Sequence, residues 1–108
     1  MGITIRDLES YLAHRYGGWG IDQSMFMKLV EEMGEVAEGL NKKSGRKASE
    51  QEDLKEELGI ELADMLHYIL AIAALNDLDM ERIILEKDKK ASIKYHHDVN
   101  LEQFLHNK

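Results

Sequence analysis

Two long stretches of this chain, Met25 to Leu40 and Leu54 to Ala73, repeat apolar residues every three to four positions. That period describes a helix with one buried face, because a strand would alternate every second residue. The 108 residues include no proline, so nothing removes a helical hydrogen bond or forces a kink. Alternating β-branched runs are lacking as well. The expected class is all-α: a four- to five-helix bundle with an antiparallel central helix pair.

Local signals divide the chain further. A first helix is expected from about Thr4 to Arg15, with Thr4 as N-cap, Asp7 near its positive end, and Ile5, Leu8, Tyr11 and Leu12 on one face. "YGGWGID" ends it, since three glycines in four residues cannot continue a helix cheaply. The second helix runs from the N-cap Asp22 to about Asn41, with Met25, Phe26, Leu29, Val30, Met33, Val36, Ala37 and Leu40 as its stripe. "NKKSGRKAS" reads as a loop. Ser49 and Glu52 have capping-box spacing and open a third helix that reaches Leu75. Its stripe is Leu54, Leu58, Leu62, Met65, Leu66, Ile69, Ile72 and Ala73. Asp79 caps a fourth helix to about Lys94, and a short fifth begins near Asn100. Met25, Met27, Met33 and Met65 read as core filler.

Composition bounds the function. The length suits a single domain, 1–108, and a chain this small gains from burying more surface in an oligomer. The formal net charge of −7 argues against a nucleic-acid polymer as partner, because that affinity comes from Lys and Arg. Cysteine is absent, which excludes disulfides and thiolate metal sites. No basic segment followed by an apolar core opens the chain, and Arg6 stands where a myristoylation motif needs Ser or Thr. No run reads as long and apolar enough to span a bilayer, so no membrane partner and a cytoplasmic location are expected.

The acids raise a sharper question. At 100° per residue, Glu32 falls at the edge of the second helix's apolar stripe, with Glu35 and Lys28 just beyond. On the third helix Glu61 lies against the stripe and Asp64 just outside it. Each helix thus carries a carboxylate pair at i, i+3 on one border of its buried face. Packed through their stripes, the helices would bring four carboxylates together beside a dry core. Repulsion and desolvation make that arrangement unfavourable unless protons or hard cations neutralise it. An oxygen-only set suits Mg²⁺, Mn²⁺ or Ca²⁺. The bland alternative is surface decoration, common in a chain with 32 % charged residues.

"KLVEEMGEVAE", followed by "ELADMLHYILAIAALNDLDMERIILEK", resembles the MazG-like nucleotide pyrophosphohydrolases. The resemblance covers about Trp19 to Tyr95. The family signature, E-x-x-E, a gap and E-x-x-D, is matched by Glu32, Glu35, Glu61 and Asp64. The resemblance implies an all-α enzyme converting a nucleoside triphosphate and water to the monophosphate and pyrophosphate, in sanitation or control of the nucleotide pool. It implies that these four acids are catalytic and hold Mg²⁺, or Mn²⁺ in its place. It also implies a homodimer or homotetramer whose partner subunit helps complete the pocket. A basic end of helix 4, K-x-x-x-N-x-x-[RK]-Y in the family, is matched by Lys87, Lys94 and Tyr95, with Ala91 replacing the asparagine. Lys87, Lys94 and Tyr95 are therefore expected to bind substrate. Lys28 is a further candidate, to steady a carboxylate or touch phosphate. Trp19 is a candidate to stack on the base, or else it anchors its loop. His67 lacks the second Glu-x-x-His helix that a di-iron bundle needs. His96 and His97 read as an exposed tail. Two other functions fit less of the pattern: a non-catalytic acidic helical module that binds a protein, and phosphoribosyl-ATP pyrophosphohydrolysis, which "ADMLHY" partly resembles.

Overall fold

A computed structural model of the chain describes residues 2–17, 22–45 and 48–108. It contains five helices: α1 (Ile5–Tyr16), α2 (Asp22–Gly45), α3 (Ala48–Leu75), α4 (Met80–Lys94) and α5 (Leu101–His106). No strand occurs among the described residues. The Thr4 hydroxyl accepts from the Asp7 amide at 3.0 Å, and the Asp7 carboxylate accepts from the Thr4 amide at 3.2 Å, a reciprocal pair that starts α1. At its other end a Cβ on Gly17 would stand 2.6 Å from the Ala13 carbonyl oxygen, so the chain turns there only without a side chain. Asp79 accepts from the Arg82 amide to start α4, and Asn100 with Gln103 repeats the α1 device for α5.

One boundary differs from expectation. α2 continues past Asn41 to Gly45, and α3 begins at Ala48, so most of "NKKSGRKAS" is helical. Lys42 pairs with Glu38 one turn back at 3.2 Å, and cations are favoured at a helix C-terminus. The polar composition that reads as a loop is here the last turn of a helix. The proposed Ser49–Glu52 capping box lies outside the described side chains.

α2 and α3 form the largest helix contact, with α1 laid against α3. They run antiparallel. Met25 joins Leu70 and Ala71 in the core, Glu32 is coupled to Glu61 and Asp64, and Gly39 lies opposite Glu61. Positions thus fall on α3 as they rise on α2. Leu12, Met25, Leu70 and Ala71 make the buried cluster, with Leu12 wholly inaccessible. α4 packs chiefly on α1 and α5. α3 and α4 both end on a left-handed residue, Asp77 (φ 59°) and His96 (φ 58°). In each case the following amide donates back into the helix, Leu78 to the Ala73 carbonyl and His97 to the Ser92 carbonyl, both at 2.9 Å.

Much of the expected core is uncovered in the single chain, which corrects the reading of both stripes as buried faces. Phe26, Met27, Val30, Met33 and Leu40 on α2 are exposed, as are Leu62, Leu66 and Ile69 on α3. The same applies to Met27 and Met33 as core filler. The radius of gyration is 17.0 Å, against about 13 Å for a compact chain of this length. The accessible surface is 8491 Å², where a folded monomer of 12.4 kDa shows about 6,100 Å².

The bilayer expectation also needs correction. Asp53–Leu75, with mean hydropathy 1.6, is long and apolar enough to cross a membrane by length and composition. From Leu58 to Leu75 its only Asp, Glu, Lys or Arg residues are Glu61 and Asp64. A helix apolar on most sides is what a segment packed against α1 and α2, with further surface left over, requires.

Candidate active site

Glu32 is half-buried on α2, and its Oε2 is inaccessible with no hydrogen-bond partner. Its carboxyl is pushed above the usual carboxylate range, first by burial and then by the charges of Glu35, Asp64, Glu61 and Glu31. Glu35 stands one turn along α2, while Glu61 and Asp64 come from the facing helix. Glu61 reaches across α2 at Gly39, where its Oε2 would lie 3.7 Å from an added Cβ. Glu61 is half-buried, whereas Glu35 and Asp64 are exposed. The four acids therefore gather where the α2–α3 core meets solvent, as their positions at the stripe edges require.

Among the described residues, no three Asp, Glu or His side chains are arranged to hold a metal ion as they stand. Mutual repulsion keeps uncompensated carboxylates apart. The donor set is nonetheless oxygen-only, and one of its oxygens is buried without a proton donor. Such a set fits a hard divalent cation after side-chain rotation.

The basic candidates are elsewhere. Lys28 pairs with Glu31 at 3.7 Å on the exposed side of α2, so the carboxylate it steadies lies outside the E-x-x-E pair. Lys87 and Lys94 are exposed on α4. The Lys94 ammonium lies 5.3 Å from the Tyr95 ring centroid, and that ring stacks on His97. Since α4 packs mainly on α1 and α5, these residues are not gathered around Glu32 within one chain. Trp19 lies outside the described residues.

Three features escaped the sequence reading. The Tyr16 hydroxyl meets His67 Nε2 at 2.8 Å, and His67 also packs edge-on against Tyr16 and Tyr68. Burial, then the Arg15 charge, lowers the His67 pKa against the opposing pull of Asp64. Glu9 is buried at 4 % exposure and accepts from the Met80 amide at 3.2 Å, which steadies the start of α4. The signals were an i+3 spacing of His67 from Asp64 and a Glu on the same helix face as Leu12; neither shows its partner. Finally, Gln23, Phe26, Met27 and Ile72 line an apolar groove of about 440 Å³ between α2 and α3.

Comparison with known proteins adds one finding. The model of the MazG nucleotide pyrophosphohydrolase domain matches residues 22–98, the stretch holding α2, α3, α4 and all four clustered acids. No curated protein and no solved structure matches the chain. A match over more than half of the chain, on an all-α fold, leads to one assignment: the chain belongs to the MazG nucleotide pyrophosphohydrolase domain family.

Proposed function

We propose that this chain is a Mg²⁺-dependent nucleoside triphosphate pyrophosphohydrolase, forming (d)NMP and pyrophosphate from (d)NTP and water, in nucleotide-pool sanitation or control. The observation that carries the reading is Glu32. Its buried oxygen has no donor, yet it sits among Glu35, Glu61 and Asp64. A structural role would have supplied a partner, because an orphaned buried acceptor costs about 1–3 kcal/mol. A role in binding a cation explains why it has none.

Glu32, Glu35, Glu61 and Asp64 would hold the Mg²⁺, or Mn²⁺. Bound there, the ion supplies charge neutralisation for the triphosphate and lowers the pKa of the attacking water. The products require that water to attack the α- or the β-phosphorus, because either attack breaks the anhydride bridge between them and releases monophosphate and pyrophosphate. The chain's own part is positioning. Half-buried Glu32 and Glu61 form the dry wall, and the exposed Glu35 and Asp64 remain free to turn toward metal or water. An unengaged carboxylate of the set can accept the proton released by the water.

The working form in this reading is a homodimer or homotetramer. Support comes from the exposed apolar band on α2 and α3, which runs along the same helix pair as the acids. The surface excess over a compact monomer, about 2,400 Å², is the area that a sizeable subunit interface buries. Lys87, Lys94 and Tyr95 would then reach substrate across that interface, and Trp19 would cover the base.

Pyrophosphate release is the test, measured over a panel of standard and modified dNTPs and NTPs, with phosphoribosyl-ATP included, in Mg²⁺ and in chelator. Metal-dependent release that Glu35→Gln abolishes in a folded protein is expected. Release from none of these substrates would instead favour an acidic protein-binding module.

A further inference from the structure

α1 lies along α3 so that positions fall on α3 as they rise on α1. Glu9 accepts from the amide of Met80, just past the end of α3. Leu12 shares a buried cluster with Leu70 and Ala71, and the Tyr16 hydroxyl meets His67. The C-terminal end of α1 therefore arrives one turn of α3 from Asp64, beside the carboxylate cluster. The His67 ring is also packed edge-on against both Tyr16 and Tyr68, which fixes this junction.

Arg15 stands in the last turn of α1. Its guanidinium carbon lies 5.1 Å from the centroid of the Tyr16 ring, so the residue bonded to His67 also carries the cation. The Arg15 charge and the opposing Asp64 charge both act on His67, which places guanidinium and acid within Coulombic reach of one imidazole. Arg6 pairs with Asp79, and Arg82 with Glu86. Arg15 forms no ion pair among the described residues, in a chain where 21 acids outnumber 14 Lys and Arg. The Tyr16 ring attracts the cation without offering it an oxygen acceptor, since the hydroxyl is at His67. The guanidinium's donors therefore stay available.

We propose that Arg15 is a substrate-binding residue, its guanidinium taking phosphate oxygens of the nucleoside triphosphate from the same subunit whose acids hold the metal. The assignment rests on the reading of Glu32, Glu35, Glu61 and Asp64 as the metal-holding set. By itself, a guanidinium beside a cation site opposes metal binding. With a triphosphate present the sign reverses, because the ligand carries more negative charge than one divalent ion neutralises. A planar fork of donors matches the oxygens left over. A carboxylate partner on Arg15 would compete with them, and it has none. Lys87 and Lys94 lie on α4, away from Glu32 within one chain, whereas Arg15 belongs to a helix packed on α3 itself.

The test is calorimetric titration of the intact chain in Mg²⁺ with inorganic triphosphate and, separately, with α,β-methylene analogues of the common deoxynucleoside triphosphates. These analogues lack the anhydride bridge that the reaction breaks. Arg15→Ala should bind both kinds of ligand about tenfold or more weakly. Its affinity should also fall less steeply than the parent's with added salt. Arg15→Lys keeps the charge and loses the fork, so it should lie between the two. Arg82→Ala removes a cation paired on α4 and controls for net charge; it should bind like the parent. Arg15 is exposed, so Arg15→Ala should keep the parent's urea midpoint. The proposal is overturned if Arg15→Ala binds triphosphate as the parent does, or if Arg82→Ala loses as much. It is also overturned if the loss appears with the nucleoside analogues alone, which would mark a contact to base or sugar. A parent that releases pyrophosphate while Arg15→Ala binds unchanged would sink this assignment and leave the enzymatic reading standing. A parent that binds no triphosphate would sink both.

Discussion

The Tyr16 hydroxyl and His67 Nε2 stand 2.8 Å apart, joining the last residue of α1 to α3 one turn beyond Asp64. This contact fixes the imidazole at the edge of the proposed metal site. Burial and Arg15 lower the His67 pKa, so the folded state binds its proton less readily than the unfolded chain. Stability from this group is present above the ordinary histidine value and is lost as pH falls through the lowered folded value. Urea unfolding at about pH 7.5 and pH 5.5 should show that loss, and His67→Gln should reduce it. Tyr16→Phe should cost about 1 kcal/mol at the higher pH.

Glu32 has the opposite sign. Its pKa is raised, so the folded state holds the proton more tightly than the unfolded chain. Without divalent cation, this residue lowers stability as pH rises from the ordinary carboxylate value through the raised one. Glu32→Gln should therefore melt at a higher temperature than the parent in chelator at neutral pH. It should also gain less from added Mg²⁺ and release no pyrophosphate. A parent that is the more stable of the two in chelator would refute the account of Glu32 as an uncompensated acid.

The exposed apolar band makes a prediction about assembly. Leu66 is 55 % exposed in the single chain, so Leu66→Asp should disturb an isolated subunit little. On a subunit interface the same change buries a charge. Sedimentation should find an oligomer for the parent and a smaller species for Leu66→Asp. The parent's melting temperature should rise with protein concentration, and the variant's should not.

Among the described residues Leu12 is the one large side chain that is wholly inaccessible, and it holds α1 on the α2–α3 pair. Leu12→Ala should cost about 2–5 kcal/mol by chemical denaturation. Asp77 tests the helix end instead. Asp77→Gly should stabilise the chain by roughly 0.5–1 kcal/mol through relief of its left-handed backbone.

How much was legible follows from which interactions are local. Thr4, Asp79 and Asn100 act on amides three residues away, so their capping roles could be read along the chain. The gathering of Glu32, Glu35, Glu61 and Asp64 was also legible, because helical period sets the border of each stripe and antiparallel packing brings the borders together. The extension of α2 to Gly45 was not. Its support is the Glu38–Lys42 pair, and the same polar residues also describe a loop.

By itself, the sequence determined the helices, their caps and the edge on which the acids lie, since all of these depend on 3.6-residue periodicity and contacts within one turn. Tertiary structure decided which apolar faces are covered and which stay open, because burial depends on what packs opposite and not on a residue's own character. It also decided that Tyr16 meets His67 and that Glu9 steadies α4. Those relationships join residues far apart in the chain, and only packing brings such groups together.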